Sequence, residues 1–362
     1  MNDWAYTFDP VSKKTWIDQV EKDLRGKSLD SLLGEWWSGE TLQPLIHEED
    51  APKKIVRLPN ELFTAPPRIV ETIIVEGCSA MEINDQILKA LAFGAETIIL
   101  EANSLDNLPV DVWLKNVHLD MIKVQIQPSN LSSNLSASLL AFLKNGLDIR
   151  IFRNGVSNHA LDRTLSDLTQ AGIPLNALRF MYAFPSTGVW DDQATSTLTL
   201  FIDDLTQWKA TGNEPQDFFK QSLWKTESDP SYFKHIIQTR VLHLLWHNLK
   251  LLYNIESTAA NNAYLECHIR ETEKINPDQY LIRASMSALA ASLTGTSSLC
   301  IHHLEGADIA DFYKRTDRNI HHLLNMESNI YAGTDPLAGA YAIDLCTTEW
   351  TKKIWEELSP KK

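Results

Sequence analysis

The sequence has few cysteines, a deficit of positive charge and no long apolar run. Its four cysteines are widely spaced in 362 residues and form no Cys-x-x-Cys pair, as is typical of reduced thiols in a cytoplasmic protein. Lysine and arginine number 33 against 47 acidic residues, giving a net charge of −14, which disfavours nucleic acid and anionic membrane as partners. No run approaches the roughly 20 apolar residues that span a bilayer, and residues 1–20 lack a secretory pattern. The sequence therefore predicts a cytoplasmic protein without nucleic-acid or membrane partners.

The common signatures of phosphate-binding loops, dinucleotide folds, zinc proteases, serine hydrolases and calcium loops are also missing. His243 and His247 lie four apart in a predicted helix, a spacing that lets two imidazoles face one metal ion. No acidic or cysteine ligand lies near them in sequence, so we interpret them as histidines on a helix surface. The sequence predicts no metal site.

Composition and the positions of turn-forming residues divide the chain into three regions. Hydrophobic residues make up 44% and charged residues 22% of the sequence, which is ordinary for a folded protein. Residues 1–67 form a tryptophan- and proline-rich arm that cannot build a large core of its own. Residues 68–332 alternate β-branched runs with helical patterns, and residues 333–362 combine a turn-rich segment with a terminal helix, predicted over Thr348–Leu358.

The middle region contains eight candidate strands separated by candidate helices. The strands are predicted at Ile69–Val75, Thr97–Leu100, Ile122–Ile126, Ile149–Phe152, Leu178–Tyr182, Phe218–Leu223, Ala263–His268 and Ser297–Ile301. Alternation of strands and helices at this spacing favours parallel strands with crossover helices. Eight such strands predict an α/β fold, a (β/α)8 TIM barrel with an extended N-terminal arm, and a doubly wound open sheet stays as the alternative.

Two polar residues on one predicted strand are the candidate catalytic groups. Glu266 and His268 are two residues apart and therefore share a face of the strand, where a carboxylate and an imidazole can act as an acid/base pair. A satisfied polar layer inside a filled barrel explains them equally simply and is the interpretation we favour. At most one of the adjacent His302 and His303 can face the barrel mouth. Arg283 has the charge to bind a phosphate, although an ordinary ion pair is the simpler interpretation.

Four stretches carry a resemblance to a known family. They are TWIDQVEKDLRGKSLDSL with QPLIHEED in the arm (Thr15–Leu32 and Gln43–Asp50), FKHIIQTRVLHLLWHNL (Phe233–Leu249), NPDQYLIRASMSALAASLTGTSSL (Asn276–Leu299) and ESNIYAGTDPLAGAYAID (Glu327–Asp344). In order and spacing they are similar to motifs of methylmalonyl-CoA mutase, and the sequence resembles the small, non-catalytic subunit most. The resemblance implies a TIM barrel of the acyl-CoA-binding type, threaded along its axis by the pantetheine chain of CoA in catalytic relatives. It aligns Arg283 with a family arginine, which makes Arg283 a candidate ligand of a CoA phosphate.

Several family features that carry catalysis are replaced in this sequence. The Asp-x-His-x-x-Gly motif of the cobalamin-binding domain does not occur. The family's Gln-Thr-Ser-Gly after the seventh strand is replaced by Glu266-Cys267-His268-Ile269. The family segment that supplies a catalytic tyrosine is replaced by residues 71–76, Glu-Thr-Ile-Ile-Val-Glu. We therefore expect adenosylcobalamin to act in a complex and not to be bound by this chain alone.

The resemblance implies a methylmalonyl-CoA mutase small subunit, an isomerase component that is not catalytic on its own. It would form a heterodimer with a catalytic large subunit that converts methylmalonyl-CoA to succinyl-CoA. The alternatives are a stand-alone acyl-CoA-binding protein, a divergent enzyme using Glu266 and His268, and the barrel part of a longer cobalamin-dependent mutase.

Overall fold

A computed structural model describes the chain at residues 9, 11–37, 40–51, 57–131, 135–153, 161–185, 189–256, 262–270, 277–302, 310–331 and 333–358. Eight parallel strands close into a barrel in which each strand lies beside the next one along the chain and the last pairs with the first. The barrel strands are β3 (Arg68–Ile74), β4 (Thr97–Ser104), β5 (Lys123–Asn130), β6 (Leu147–Arg153), β7 (Leu178–Phe184), β8 (Ser222–Glu227), β9 (Leu265–Ile269) and β10 (Ser298–Ile301). The predicted (β/α)8 barrel is confirmed, and the open sheet is excluded.

Helices link the strands and cover the outside of the barrel, apart from the first helix, which belongs to the N-terminal arm. They are α1 (Lys13–Asp23), α2 (Ala80–Ala92), α3 (Val110–Trp113), α4 (Ala137–Lys144), α5 (Leu161–Gln170), α6 (Trp190–Ala210), α7 (Pro215–Gln221), α8 (Tyr232–Leu252), α9 (Pro277–Ser292), α10 (Ala310–Met326) and α11 (Tyr341–Leu358). Local signals explain several ends. Ser79 and Glu82 form a capping box at the start of α2. Gly295 follows α9 at φ +72°, where a side chain would also collide with Leu62.

The strands bury apolar side chains outward, against the helices. Ile98, Val124 and Ile149 are all fully buried in the cluster that joins sheet to helices, and burial of this kind is the main source of stability. The opposite face, toward the barrel axis, carries Gln125, Arg150 and Glu266, and Arg150 hydrogen-bonds to both of the others. Barrel interiors are usually filled by branched aliphatic side chains, so a charged axis is the unusual feature of this fold.

Two elements differ from the sequence prediction. The strand predicted at Phe218–Leu223 begins at Ser222, because Pro215 starts α7 and its aromatic residues Phe218 and Phe219 pack on the helical side. The terminal helix is longer than predicted and begins at Tyr341.

The N-terminal arm contains α1, an antiparallel pair formed by β1 (Gly34–Trp37) and β2 (Glu40–Leu42), and short 3-10 turns at Leu29–Leu32, Glu48–Asp50 and Asn60–Phe63. No residue of α1 is buried. The helix is held to the rest of the arm by Lys13, whose ammonium lies 2.6 Å from the Asp50 carboxylate. In the described part of the chain, no helix has the length and apolarity needed to cross a membrane.

Candidate functional site

The centre of the barrel axis is occupied by a buried ion pair. Arg150 on β6 donates from both terminal nitrogens to Glu266 on β9, at 2.6 and 2.7 Å, and both side chains are 0% exposed. Gln125 on β5 accepts from the Arg150 Nε at 2.7 Å, and the Met181 sulfur and the Ser298 hydroxyl complete the layer. The planar guanidinium thus bridges strands on opposite sides of the cylinder, and the pair closes the axis at this level.

A chain of hydrogen bonds runs from this pair toward the carboxyl ends of the strands. His268 Nε2 lies 2.7 Å from Glu266 Oε1, and His268 Nδ1 lies 2.7 Å from His302 Nε2. Cys300 Sγ is 3.6 Å from the same His302 nitrogen, and the exposed Arg270 reaches His302 Nδ1 at 3.4 Å. His268 is 5% exposed and His302 is half-buried. The network therefore begins in the closed centre and ends at the barrel mouth.

Burial and charge set the protonation states in this network. Burial alone would raise the pKa of Glu266, but Arg150 and His268 hold it well below its usual value. Burial lowers the pKa of His268 to about 4, despite the neighbouring carboxylate. Burial also raises the pKa of the Cys300 thiol to about 12. At neutral pH Glu266 is therefore a carboxylate, His268 is a neutral imidazole and Cys300 is a thiol.

The arrangement favours the polar-layer interpretation of Glu266 and His268. The structure brings the two side chains together, as predicted from their spacing, but both oxygens of Glu266 are engaged by Arg150 and neither is exposed. A general base must lie within hydrogen-bond reach of its substrate, and a carboxylate in the closed axis has no such access. Of this pair, only His268 is connected to the barrel mouth, by its hydrogen bond to His302.

The other candidate residues lie elsewhere. Arg283 is exposed on α9, outside the barrel axis, and His303 lies outside the described residues. The surface interpretation of the histidine pair on α8 is wrong for His243, which is 6% exposed and hydrogen-bonds to the backbone at Thr294 and Gly295, with burial lowering its pKa to about 3. His247 is exposed, as predicted.

Sequence reasoning missed Arg150 and Gln125, the partners that define the site. Arg150 and Glu266 are 116 positions apart, and nothing local connects them. One signal was available, since Arg150 stands between Ile149 and Ile151 in the strand LDIRIFR, and a charged side chain on a buried strand needs a buried partner.

A basic cavity of about 420 Å³ lies on the outside of the barrel, between α2 and α10. Its basic lining residues are Lys89, Lys314, Arg315 and Arg318, and its aromatic lining residues are Phe93 and Phe312. Arg318 pairs with Glu71 at 3.1 Å and also stacks over Phe93. Four cations around one carboxylate make this cavity suited to an anionic ligand.

Asp317, next to this cavity, is expected to make stability pH-dependent. The Tyr280 hydroxyl lies 3.0 Å from both Asp317 Oδ1 and the His302 carbonyl oxygen, and its single proton can serve one acceptor. A protonated Asp317 resolves the conflict by donating to the Tyr280 oxygen. Burial raises the pKa of Asp317 from 3.8 to about 7, with Glu71 adding to the rise and Tyr280 and Arg318 opposing it.

Because this pKa is higher in the folded chain than in the unfolded chain, the stabilisation is complete below about pH 4 and is lost as the pH rises to about 7. Between about pH 5 and pH 7 the wild type should lose roughly 2–3 kcal/mol more than Asp317→Asn. Urea unfolding at several pH values checks this prediction. Parallel pH profiles for the two proteins would contradict it.

Comparison with known proteins shows what this chain is similar to. Residues 192–360 match the profile of the methylmalonyl-CoA mutase family. The match covers slightly less than half of the chain and shows its likeness to that family. The small subunit of methylmalonyl-CoA mutase from Porphyromonas gingivalis is 23% identical over 389 aligned residues, which cover 96% of this chain and 62% of that protein. The resemblance to the methylmalonyl-CoA mutase family, and to its small subunit in particular, is therefore confirmed.

Two further relatives match shorter parts of the chain. Methylmalonyl-CoA mutase of Cereibacter sphaeroides is 28% identical over 150 residues, covering 40% of this chain and 21% of that protein. The 2-hydroxyisobutanoyl-CoA mutase large subunit of Aquincola tertiaricarbonis is 27% identical over 176 residues, covering 46% of this chain and 30% of that protein. The chain thus spans less than two thirds of the length of each of these three relatives.

Proposed function

We propose that this chain is a non-catalytic, small-subunit-like component of a mutase. It would support the isomerisation of methylmalonyl-CoA to succinyl-CoA by a catalytic large subunit. The observation that carries the proposal is the Arg150–Glu266 pair, which is 0% exposed and lies across the barrel axis. The family resemblance implies that, in catalytic relatives, the pantetheine chain of CoA occupies the corresponding barrel axis. A paired guanidinium and carboxylate at this level leave no passage, so the barrel serves as a scaffold.

Adenosylcobalamin, in this proposal, is bound in the complex and not by this chain alone. A histidine that ligates the cobalt of a corrin must present a ring nitrogen to an open surface. His268 is 5% exposed, and its two nitrogens face Glu266 and His302. The described histidines of the axis therefore do not fit the cofactor, and we assign no step to it here.

The N-terminal arm, residues 1–67, is the proposed contact with the large subunit. On α1 the residues Trp16, Ile17, Val20 and Leu24 recur at helical spacing, and none of them is buried. All four are half-buried, and an apolar stripe that its own chain covers only in part favours burial in an interface. In the same proposal, residues 68–332 form the barrel domain and residues 333–362 the C-terminal turn and helix.

The four cysteines are free thiols, which supports a cytoplasmic location.

Co-purification tests the proposal. The full chain is co-expressed with a catalytic large subunit, and complex formation is measured by sedimentation. We expect a stable heterodimer that converts methylmalonyl-CoA to succinyl-CoA, whereas the isolated chain shows no turnover and leaves the visible spectrum of adenosylcobalamin unchanged. Ile17→Gln should weaken the heterodimer at least tenfold, since it removes apolar area from the stripe.

Lys22→Gln is the matched control, because Lys22 lies on the opposite, exposed side of α1. It should leave the affinity for the large subunit within about twofold of the wild type. Turnover by the isolated chain, or a spectral change showing histidine ligation of its cobalamin, would refute the proposal.

The basic cavity between α2 and α10 favours a second candidate function, binding of an acyl-CoA by its phosphate groups on the outer face. Coenzyme A titrated into the isolated chain by calorimetry tests it. Lys314→Gln should reduce the affinity about tenfold, since one phosphate contact is lost, and Lys144→Gln at the exposed end of α4 should not. Equal heats for the wild type and Lys314→Gln would exclude the cavity as the site.

A further inference from the structure

We propose that His268, Cys300 and His302 form a binding site for one zinc-type divalent metal ion at the mouth of the barrel. Their three donor atoms lie within 4.8 Å of one another. Cys300 Sγ is 3.6 Å from His302 Nε2 and the two imidazole nitrogens are 2.7 Å apart. Around a tetrahedral zinc ion, with bonds of about 2.0–2.3 Å, donor atoms lie roughly 3.3–3.6 Å apart. The sulfur is therefore already at a suitable distance from His302, and the imidazoles need to separate by only about 0.6 Å.

The backbone explains why these three side chains converge. Cys300 pairs with His268 in the parallel register of β9 and β10, so the two side chains stand side by side on the same face of the sheet. His302 follows Cys300 by two residues and returns to that face. Ligands carried by neighbouring barrel strands are held more rigidly than ligands on loops. The cluster thus follows from the register and requires no rearrangement of the chain.

Glu266 supplies the outer support that metal-binding histidines usually have. It accepts a hydrogen bond from His268 Nε2 at 2.7 Å, and Arg150 fixes the carboxylate from the other side. With its ring proton on Nε2, His268 directs the Nδ1 lone pair at the cluster. A carboxylate behind a ligating imidazole fixes its tautomer and strengthens it as a donor. This assigns Glu266 a positioning role, in place of the catalytic role considered from sequence.

The donor set selects the metal. One thiolate and two imidazoles suit zinc better than magnesium or calcium, which prefer oxygen ligands. Among the described residues three side chains supply ligands, which leaves a fourth position for water. On binding, Cys300 loses its thiol proton to solvent, while His302 carries its ring proton on Nδ1, so one proton leaves per ion. The exposed Arg270, now 3.4 Å from that Nδ1, must swing away.

Metal uptake by the intact chain tests this site, and its outcome is independent of any large subunit. The protein is stripped with a chelator, dialysed against Zn²⁺ and analysed for bound metal, and Co²⁺ serves as the spectroscopic probe. We expect one ion per chain, and with Co²⁺ a thiolate-to-metal charge-transfer band together with the intense visible bands of a tetrahedral site.

Cys300→Ser should abolish the charge-transfer band, and His302→Gln should weaken Zn²⁺ binding at least tenfold. Cys346→Ser is the matched control, because Cys346 and Cys300 are both 2% exposed and Cys346 is a free thiol on α11. It should keep the stoichiometry and the band. No uptake by the wild type, uptake without a thiolate band, or a band that survives Cys300→Ser would each overturn the proposal.

Discussion

Replacing Arg150 by methionine is expected to lower the free energy of unfolding by about 3–5 kcal/mol. Arg150 and Glu266 are both 0% exposed and are joined by two hydrogen bonds of 2.6 and 2.7 Å. Methionine fills much of the space of the arginine but has no charge, so Glu266 is left as an unpaired carboxylate in the axis. Only the neutral donors His268 and Ser298 then offset its desolvation, and leaving one charge without its counter-charge is the costly way to break a buried pair.

Two further variants separate the charge from the packing. The double variant Arg150→Met, Glu266→Leu removes both charges and should recover most of the lost stability. Arg179→Met is the matched single control, since Arg179 stands opposite Arg150 on β7 and pairs with Asp148 at 3.0 Å, but is 27% exposed. It should cost less than about 1 kcal/mol. Urea unfolding of the four proteins measures this, and an Arg150→Met as stable as Arg179→Met would contradict the expectation.

The double variant also bears on the proposed function. A closed barrel needs its axis filled, but a scaffold subunit does not need charges there. The complex of a large subunit with the double variant should therefore turn over methylmalonyl-CoA at a rate similar to that of the wild-type complex. A catalytic role of Glu266 would instead make turnover collapse in this variant while the protein stays folded.

The barrel was predictable because its signal is local and repeated. Each strand reads as a short β-branched run and each helix as a 3.6-residue pattern, as at Ile69–Val75 and at α8. The aromatic pair Phe218 and Phe219 misled the prediction, since aromatic residues favour strands. In the folded chain their packing against Phe201 and Trp246 takes place on a helix. Propensity was overridden there by tertiary contacts.

The site was only half predictable. Glu266 and His268 share a strand face, so their proximity follows from spacing alone. Arg150, Cys300 and His302 join them only through barrel closure and the register of β10 on β9, which no short pattern encodes. For the same reason the sequence predicted no metal site. His268 and Cys300 lie on two different strands, His302 follows the second of them, and the motif His-x31-Cys-x-His has no recognised spacing.

Asp335 is expected to be the second residue whose loss is severe. It lies in the GTDPLAG turn that carried part of the family resemblance. Its Oδ1 accepts from Arg240 at 2.8 Å and from the Leu337 backbone at 3.0 Å, while Oδ2 accepts from the Leu58 backbone at 3.2 Å. One carboxylate therefore joins α8, the turn before α11 and the end of the arm. Arg240 and Asp335 are 0% and 2% exposed, so the pair is buried.

Asp335→Ala should lower the free energy of unfolding by about 3 kcal/mol, the low end for a broken buried pair, because Asp344 remains 3.7 Å from Arg240. Asp217→Ala is the control, since its partner Lys220 is 3.6 Å away and both side chains are about half exposed; it should cost under about 0.5 kcal/mol. Urea unfolding measures both variants, and hydrogen exchange should show faster exchange of the α11 amides in Asp335→Ala.

A loss of unfolding free energy below about 1 kcal/mol would mean that Asp344 replaces Asp335 as the partner of Arg240. In that case the backbone conformation of the turn, and not the Asp335 side chain, would explain why the turn resembles the family motif. The packing of α11 against α8 would then hold this part of the chain in place.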